Sequence, residues 1–491
     1  MRKSVGYPLI AALLLSACGG GGTSSTGSGS GAIGSGGSSG GVASGCTLRE
    51  RQDWALATLR EWYLFPNELA SGVNPAAYTT VDDYIDALTA PARASGKDRF
   101  FTYLTSIREE NAFLASGSSA GFGIRLTYDN AARRVFITEA FEGAPALTAG
   151  IDRGDEIIAI GTSTTNLRAV SDIIAAEGTS GVTNALGPST PGTTRTLRVS
   201  GPAGTRDLTI AKADYSLTPV SSRYGARVLD DGGRKIGYLN FRTFISAGDQ
   251  QLRDAFANFR AQGITEFIID LRYNGGGLVS TAGLFGDLLG GNRATSDVFA
   301  RTTFRPEKSS NDTVDYFAPQ SQSVSPVKIA FIGTGATASA SELVINGMVP
   351  FYNSANLALV GGNTYGKPVG QVAIDRTACD DRLRVMAFAT ANGAGNASYY
   401  SGLASTVGTS CRASDDYTLP LGDLREASIR QAADFLAGRA CTSIMAGTSG
   451  NTAVAPGTPS GQLAVDSLIS EPEMLMPERP TPAQHDVPGL F

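Results

Sequence analysis

At 491 residues with a formal net charge of −5, and both signs mixed along the chain, the sequence has no basic stripe for nucleic acid and no polybasic run for an anionic lipid surface. The length gives room for about three domains at roughly 150 residues each. Partners are to be sought among proteins and small molecules.

The first 18 residues, MRKSVGYPLIAALLLSAC, place Arg2 and Lys3 ahead of an apolar stretch too short to span a bilayer and small residues ahead of a cysteine. This resembles a bacterial lipoprotein signal, with Leu15-Ser16-Ala17 preceding Cys18. The resemblance implies lipidation of Cys18 and attachment to the bacterial cell envelope through multiple acyl chains. Gly19 stands where an aspartate would favour inner-membrane retention, so the implied address is the outer membrane, facing the periplasm. Residues 19–45, nearly all Gly, Ser and Thr, read as a flexible tether with a typical span of roughly 30 Å.

Residues 46–115 contain ERQDWALATLREWYLF, whose apolar spacing indicates a small helical domain. Over 116–212 the pattern changes to short strands and glycine turns, with GFGIRLTYDNAARRVFITEAF reading as a hairpin. AGFGIRL followed by GAPALTAGIDRGDEIIAIG resembles a PDZ domain. Successive backbone N–H groups at Gly121, Phe122, Gly123 and Ile124 would then cradle a peptide's terminal carboxylate, while the adjacent strand edge pairs with its backbone. A glycine-rich hairpin without a ligand is the plainer alternative.

From 213 to 445 helices and strands alternate. RKIGYLNFRTF, TEFIIDLRY, VKIAFIG, NLALVGG, GQVAI and RLRVMAFA read as strands. DQQLRDAFANFRAQG aligns Leu252, Phe256 and Phe259 on one helical stripe, LFGDLL is a further helix, and DLREASIRQAADFLAG closes the region. Residues 446–491, rich in Pro, Gly, Thr and Ser, read as a disordered tail.

The one histidine, His485, falls in that tail, so a Ser-His or Cys-His mechanism lacks a rigidly held imidazole. Besides Cys18 there are four cysteines, no CxxC or HxxxH spacing, and hence no zinc motif. In an oxidising compartment four cysteines allow two disulfides and three connectivities, of which Cys379–Cys411 with Cys46–Cys441 is the pairing adopted as expectation.

DLRYNGGG, TASASE and TYGKPVGQ in that order, downstream of the PDZ-like segment, resemble the C-terminal processing peptidases, or tail-specific proteases. The resemblance covers roughly residues 46–445. It implies a multidomain α/β (α+β) chain whose peptidase core has a ClpP/crotonase-like fold, with Ser339 as nucleophile, Lys367 as base and Gln371 as its support. The backbone N–H groups of Gly276 and Ala340 would form the oxyanion hole. Thr337 replaces the first serine of the family's run, Pro368 replaces a commoner glycine, and the Ser339-to-Lys367 interval is a few residues longer than usual.

The residue types suit that chemistry. A serine at a strand-to-helix junction sits where free N–H groups and the helix dipole favour developing negative charge. A lysine base must be neutral, and bringing its pKa down from about 10.4 to near neutrality costs about 4 kcal/mol. Glutamine can hold the amine without adding the negative charge that would keep it protonated.

Other readings exist for each motif. The Ser/Ala run also suits close helix packing, Lys367 a solvated surface and Gln371 a strand edge. GGNTYGKP resembles the start of a phosphate-binding loop, but Pro368 stands where a Ser or Thr should ligate magnesium. Ser325-Pro326-Val327-Lys328 fits SxxK, but Pro326 and the strand after it oppose the required helix.

The expectation is a lipid-anchored serine endopeptidase without metal or cofactor, acting on proteins or peptides with exposed C-termini. The alternative from another class is a catalytically silent peptide-binding scaffold. The terminal VPGLF, an apolar end with a carboxylate, suits the chain's own PDZ groove or a neighbour's, against the simpler reading of an inert tail.

Overall fold

Helix Leu48–Trp62 begins at a reciprocal cap in which Glu50 N–H donates to Thr47 Oγ1 at 3.4 Å and Thr47 N–H donates to Glu50 Oε2 at 3.1 Å. The chain is described by a computed structural model over residues 45–446 and 473–491. Residues 1–44, with Cys18 and the lipoprotein-like signal, lie outside the described residues, as do 447–472.

The N-terminal helices do not close a core of their own. Ala55 and Leu59 of Leu48–Trp62, and Val81, Ile85 and Leu88 of Val81–Ala94, bury themselves against Val369, Leu383, Val385 and Met386. Strand Tyr103–Ser106 continues the same sheet by pairing antiparallel with Asp381–Asn392. The segment at 46–115 thus shares its core with the region downstream.

The central sheet runs in the spatial order Ala226–Asp231, Arg234–Asn240, Glu266–Asp270, Lys328–Gly333, Leu357–Gly361, Ser410–Arg412. Its first pair is antiparallel and the rest parallel. Both faces are covered, so alternate residues of one strand enter different cores. Phe267, Ile269, Ile329 and Phe331 face helices Ala247–Ala261, Val279–Leu289 and Ala340–Met348, whereas Ile268, Ala330 and Ile332 face Ala427–Leu436. Leu252, Phe256 and Phe259 form the buried stripe expected of the first of those helices.

The PDZ-like region is built on the hairpin Ile124–Asp129 and Arg134–Ala140, extended by Glu156–Gly161, Thr194–Gly201 and Gly204–Ala211, with helix Val170–Leu186 packed against it. Two buried ion networks fix it to the region around the central sheet. Glu139 accepts from Arg125 Nη1 at 2.8 Å and from Arg242 Nε at 2.7 Å. Arg153 and Arg272 share Asp415 Oδ1, at 3.1 and 2.9 Å. Arg272 also donates to Glu426 and, at 3.0 Å, to Asp270.

Two sequence expectations are corrected. The disulfides are Cys46–Cys379 and Cys411–Cys441, in place of Cys379–Cys411 and Cys46–Cys441. The N-terminal helix rests on the hairpin turn after Val369–Arg376, where Arg376 Nη1 donates to Glu50 O at 2.7 Å, so Cys46 meets Cys379. Strand Ser410–Arg412 meets the segment around Cys441 through Arg412 N–H donating to Thr442 O at 2.7 Å.

Residues 473–491 are ordered, against the expectation of disorder across 446–491. Strand Glu473–Met474 pairs antiparallel with Ile124–Asp129, Pro482–Asp486 is a short helix, and Leu475, Val487, Leu490 and Phe491 are buried. These apolar residues lack a regular period but find a groove and a free strand edge elsewhere in the fold. Among the described residues no helix is long and apolar enough to cross a membrane.

Arg272→Met leaves Asp270, Asp415 and Glu426 short of their shared cation. The expected cost is about 3–5 kcal/mol of stability, read from the denaturant midpoint.

Candidate active site

Three loops leave the carboxyl ends of neighbouring parallel strands and converge. Asn274–Gly277 follows Glu266–Asp270, Ser339 follows Lys328–Gly333, and Lys367 follows Leu357–Gly361. This end of a parallel sheet is where such folds place ligands.

Ser339 caps helix Ala340–Met348 with φ 55° and ψ −114°, a strained conformation for a residue with a Cβ. Its neighbours hold it there. Thr337 Oγ1 donates to Leu271 O at 2.8 Å, Ser341 Oγ donates to Asn274 O at 3.0 Å, and Ala338 N–H donates to the same Asn274 oxygen at 3.1 Å. The flanking hydroxyls therefore serve the scaffold, and Ser339 is the half-buried one between them. Thr337, at the position that departs from the SASASE-like run, uses only its hydroxyl in this contact, a group that serine also has.

Glu342 is the residue that motif reading missed. Its carboxylate is fully buried and accepts from Ser339 N–H at 3.0 Å, Lys367 N–H at 2.7 Å and Gly366 N–H at 2.7 Å. The first two converge on one oxygen, Oε2, so a single atom ties the serine's backbone to the lysine's. Burial pushes its pKa up, while these hydrogen bonds oppose the shift. The available signal was Ser339-x-x-Glu342, a capping-box spacing.

Lys367 is half-buried, with Nζ 4.8 Å from the centroid of the Phe101 ring and 3.5 Å from Gln371 Oε1. Gln371 is oriented by its Nε2, which donates to Phe101 O. Burial pushes the lysine pKa down to about 8, partly opposed by Asp486 and Asp98.

Gly276 admits no side chain, since its φ is 118° and a Cβ would lie 2.7 Å from Ser339 Cβ. Its N–H donates to Asn274 Oδ1 at 3.0 Å, whereas the preceding Gly275 N–H donates to Asp486 O at 3.0 Å. Ala340, the other residue assigned to the oxyanion hole, opens the helix after Ser339, with its nitrogen against the Gly276 backbone.

His485, expected in a disordered tail, is stacked on Tyr103 with centroids 3.7 Å apart. Burial, with Lys367 and Arg384, pushes its pKa down to about 3. An imidazole that weakly basic is a poor acceptor for a serine proton near neutral pH, and Lys367 remains the better candidate. Asp486 is raised to about 6 by burial, against the pull of Lys367 and Arg384.

At the PDZ groove, the Phe491 oxygen accepts from Gly123 N–H at 2.8 Å and Ile124 N–H at 3.1 Å. A Cβ at Gly121 would lie 2.8 Å from the Phe491 carbonyl carbon, and Phe122 packs in the same cluster as the Phe491 side chain. Of the four N–H groups expected to cradle a peptide terminus, those of Gly123 and Ile124 donate to the Phe491 oxygen, while Gly121 and Phe122 border that residue.

Residues 235–399 match Peptidase family S41, and residues 113–184 match the PDZ domain. The region around the candidate site is thus similar to an S41 peptidase domain. Its relatives include the chloroplastic C-terminal processing peptidase of Tetradesmus obliquus, 28% identical over 280 residues, covering 53% of this chain and 54% of that protein. The carboxyl-terminal-processing protease of Synechocystis sp. is 23% identical over 258 residues, covering 51% and 54%. The chain spans about half the length of these relatives. A solved structure from Bacteroides fragilis NCTC 9343 assigned to the S41 proteases aligns with TM-score 0.60 at 20% identity, covering 78% of this chain and 97% of that one, a likeness of fold.

Glu342→Ala strands three donors around the S41 site. At about 1–3 kcal/mol for each buried donor left unpaired, a loss of several kcal/mol is expected in chemical unfolding.

Proposed function

We propose that the chain is a serine endopeptidase acting on proteins recognised through their C-termini, with Ser339 as nucleophile and Lys367 as base. The observation that carries this reading is the shared Glu342 Oε2, which joins the backbone N–H groups of Ser339 and Lys367. Gln371 beside the amine, and a lysine pKa of about 8, support it.

In the proposed cycle, neutral Lys367 Nζ takes the Ser339 hydroxyl proton as Oγ attacks the scissile carbonyl carbon. The Gly276 and Ala340 N–H groups stabilise the oxyanion once Gly276 turns from Asn274 Oδ1. The C–N bond breaks and Lys367 returns the proton to the leaving amine. Water then attacks the acyl carbon, giving its proton to Lys367, and Ser339 leaves with that proton restored. The PDZ groove holds the substrate's terminal residue by strand addition.

The same reading places the protein on the bacterial cell envelope through a lipid on Cys18, at the outer membrane facing the periplasm. The lipoprotein-like sequence over residues 1–18 supports it.

A serine-directed acylating probe is expected to modify Ser339, mapped by peptide mass. Ser339→Ala and Lys367→Ala are each expected to lower turnover of a tail peptide by roughly 10³-fold or more. Peptide binding without turnover in the wild type would instead favour a silent scaffold.

Because the working form of Lys367 is the neutral one, the rate is expected to rise with pH through the lysine pKa, about 8 with Asp486 in place, and level off above it. A flat profile from pH 6.5 to roughly 9.5 would remove the lysine from that role.

A further inference from the structure

Segment 473–491 takes both positions that a substrate would need. On the PDZ domain it lies along strand Ile124–Asp129. Leu475 N–H donates to Leu126 O at 3.0 Å, Leu126 N–H to Gly489 O at 2.8 Å, and Phe491 N–H to Ile124 O at 2.8 Å. Between these contacts the chain leaves the edge and crosses to the N-terminal helices, where Arg479 pairs with Asp83 at 2.5 Å and Asp86 at 2.8 Å. It then passes through the peptidase site. Gly275 N–H holds Asp486 O at 3.0 Å and the His485 ring covers Tyr103.

The occupant is not presented as a substrate. Pro482–Asp486 is helical, started by Thr481, whose N–H donates to Gln484 Oε1 at 2.9 Å, and closed by Val487 N–H donating to Ala483 O at 2.8 Å. Strand addition at the groove and attack at a scissile carbonyl both call for extended chain. The carbonyl at the catalytic loop is bound by Gly275 N–H, while Gly276 N–H is engaged by Asn274. The segment thus fills the passage without entering the arrangement for attack.

We propose that residues 473–491 are an intramolecular inhibitor of this chain's own peptidase site, and that the apolar C-terminal residue of a protein substrate relieves it by displacing Phe491 from the PDZ groove. This rests on the peptidase reading above. The tail and the incoming terminus use the same N–H groups of Gly123 and Ile124, so they exclude each other, and the ligand that gains more in the groove sets the population. Asp486 beside Lys367 adds to the closure, because its charge favours the protonated amine.

Binding separates this proposal from the catalytic one. In the full-length Ser339→Ala chain and in the same variant lacking residues 487–491, affinity for a fluorescent peptide ending in Val-Pro-Gly-Leu-Phe is measured. Removal of the tail residues is expected to tighten binding by roughly 10-fold or more. Equal affinity overturns the proposal.

In the active chain the same truncation is expected to raise the rate on low concentrations of a tail peptide by about 10-fold, and a synthetic 473–491 peptide to suppress it again. An unchanged rate, with Ser339 still labelled by the acylating probe, overturns the inhibitor role. Absence of turnover in every form, with the binding difference intact, overturns the peptidase reading and the inhibitor role with it.

Arg479→Ala, which loosens an exposed anchor without cutting the core, is expected to shift binding and rate in the same direction by about 2- to 5-fold. It serves if the truncated chain does not fold.

Discussion

A fully buried carboxylate, Glu342, organises the site by accepting three backbone N–H groups from two loops. Ser339 and Lys367 stand on separate connections of the parallel sheet, which meet where Tyr365 N–H donates to Thr337 O at 2.9 Å. The Glu342 carboxylate ties the Ser339 and Lys367 backbones themselves, without engaging either side chain. The arrangement also explains the strained Ser339 backbone. A φ of 55° on a non-glycine residue persists when its surroundings over-determine it, and here the N–H is held by Glu342 while the neighbours bind Leu271 and Asn274.

A second constraint fixes the groove beside residues 121–124 relative to the loops that carry Ser339 and Lys367. Glu139 links Arg125 of the PDZ domain to Arg242 of the core, and Asp415 links Arg153 to Arg272. Buried ion pairs contribute less net stability than their number suggests, because desolvation offsets attraction, but separating one leaves uncompensated charge. These pairs therefore favour a fixed register between groove and catalytic loops. That register is what lets a short segment reach both.

Sequence made the candidate site legible where it is local. Ser339, Lys367 and Gln371 lie in short motifs, and the loop at 121–124 is continuous, so these candidates could be named before the loops that carry them were seen to converge. The central strands were legible as apolar runs because both their faces are buried. The cysteine pairing was not, since Cys46–Cys379 joins residues 333 positions apart and depends on where the first helix packs. Nor was the shared core of the N-terminal helices, because periodicity reveals an apolar face without naming what covers it. Glu342 was hidden differently: its capping spacing was visible, but the two amides arriving from the Gly366–Lys367 loop were not.

The tail shows the limit of composition as a guide to order. Pro, Gly, Ser and Thr oppose an independent core, and over residues 473–491 that inference about independence holds physically while the inference about disorder fails. Leu475, Val487, Leu490 and Phe491 need no mutual core because each is buried against surface already built by the rest of the fold. The backbone is satisfied by the edge of Ile124–Asp129, which otherwise presents unpaired groups. A groove that presents the N–H groups of Gly123 and Ile124 is one on which an apolar segment of the same chain can order. Under the proposed function, recognition of an external chain would draw on the same hydrogen bonds, so each contact would compete with the other.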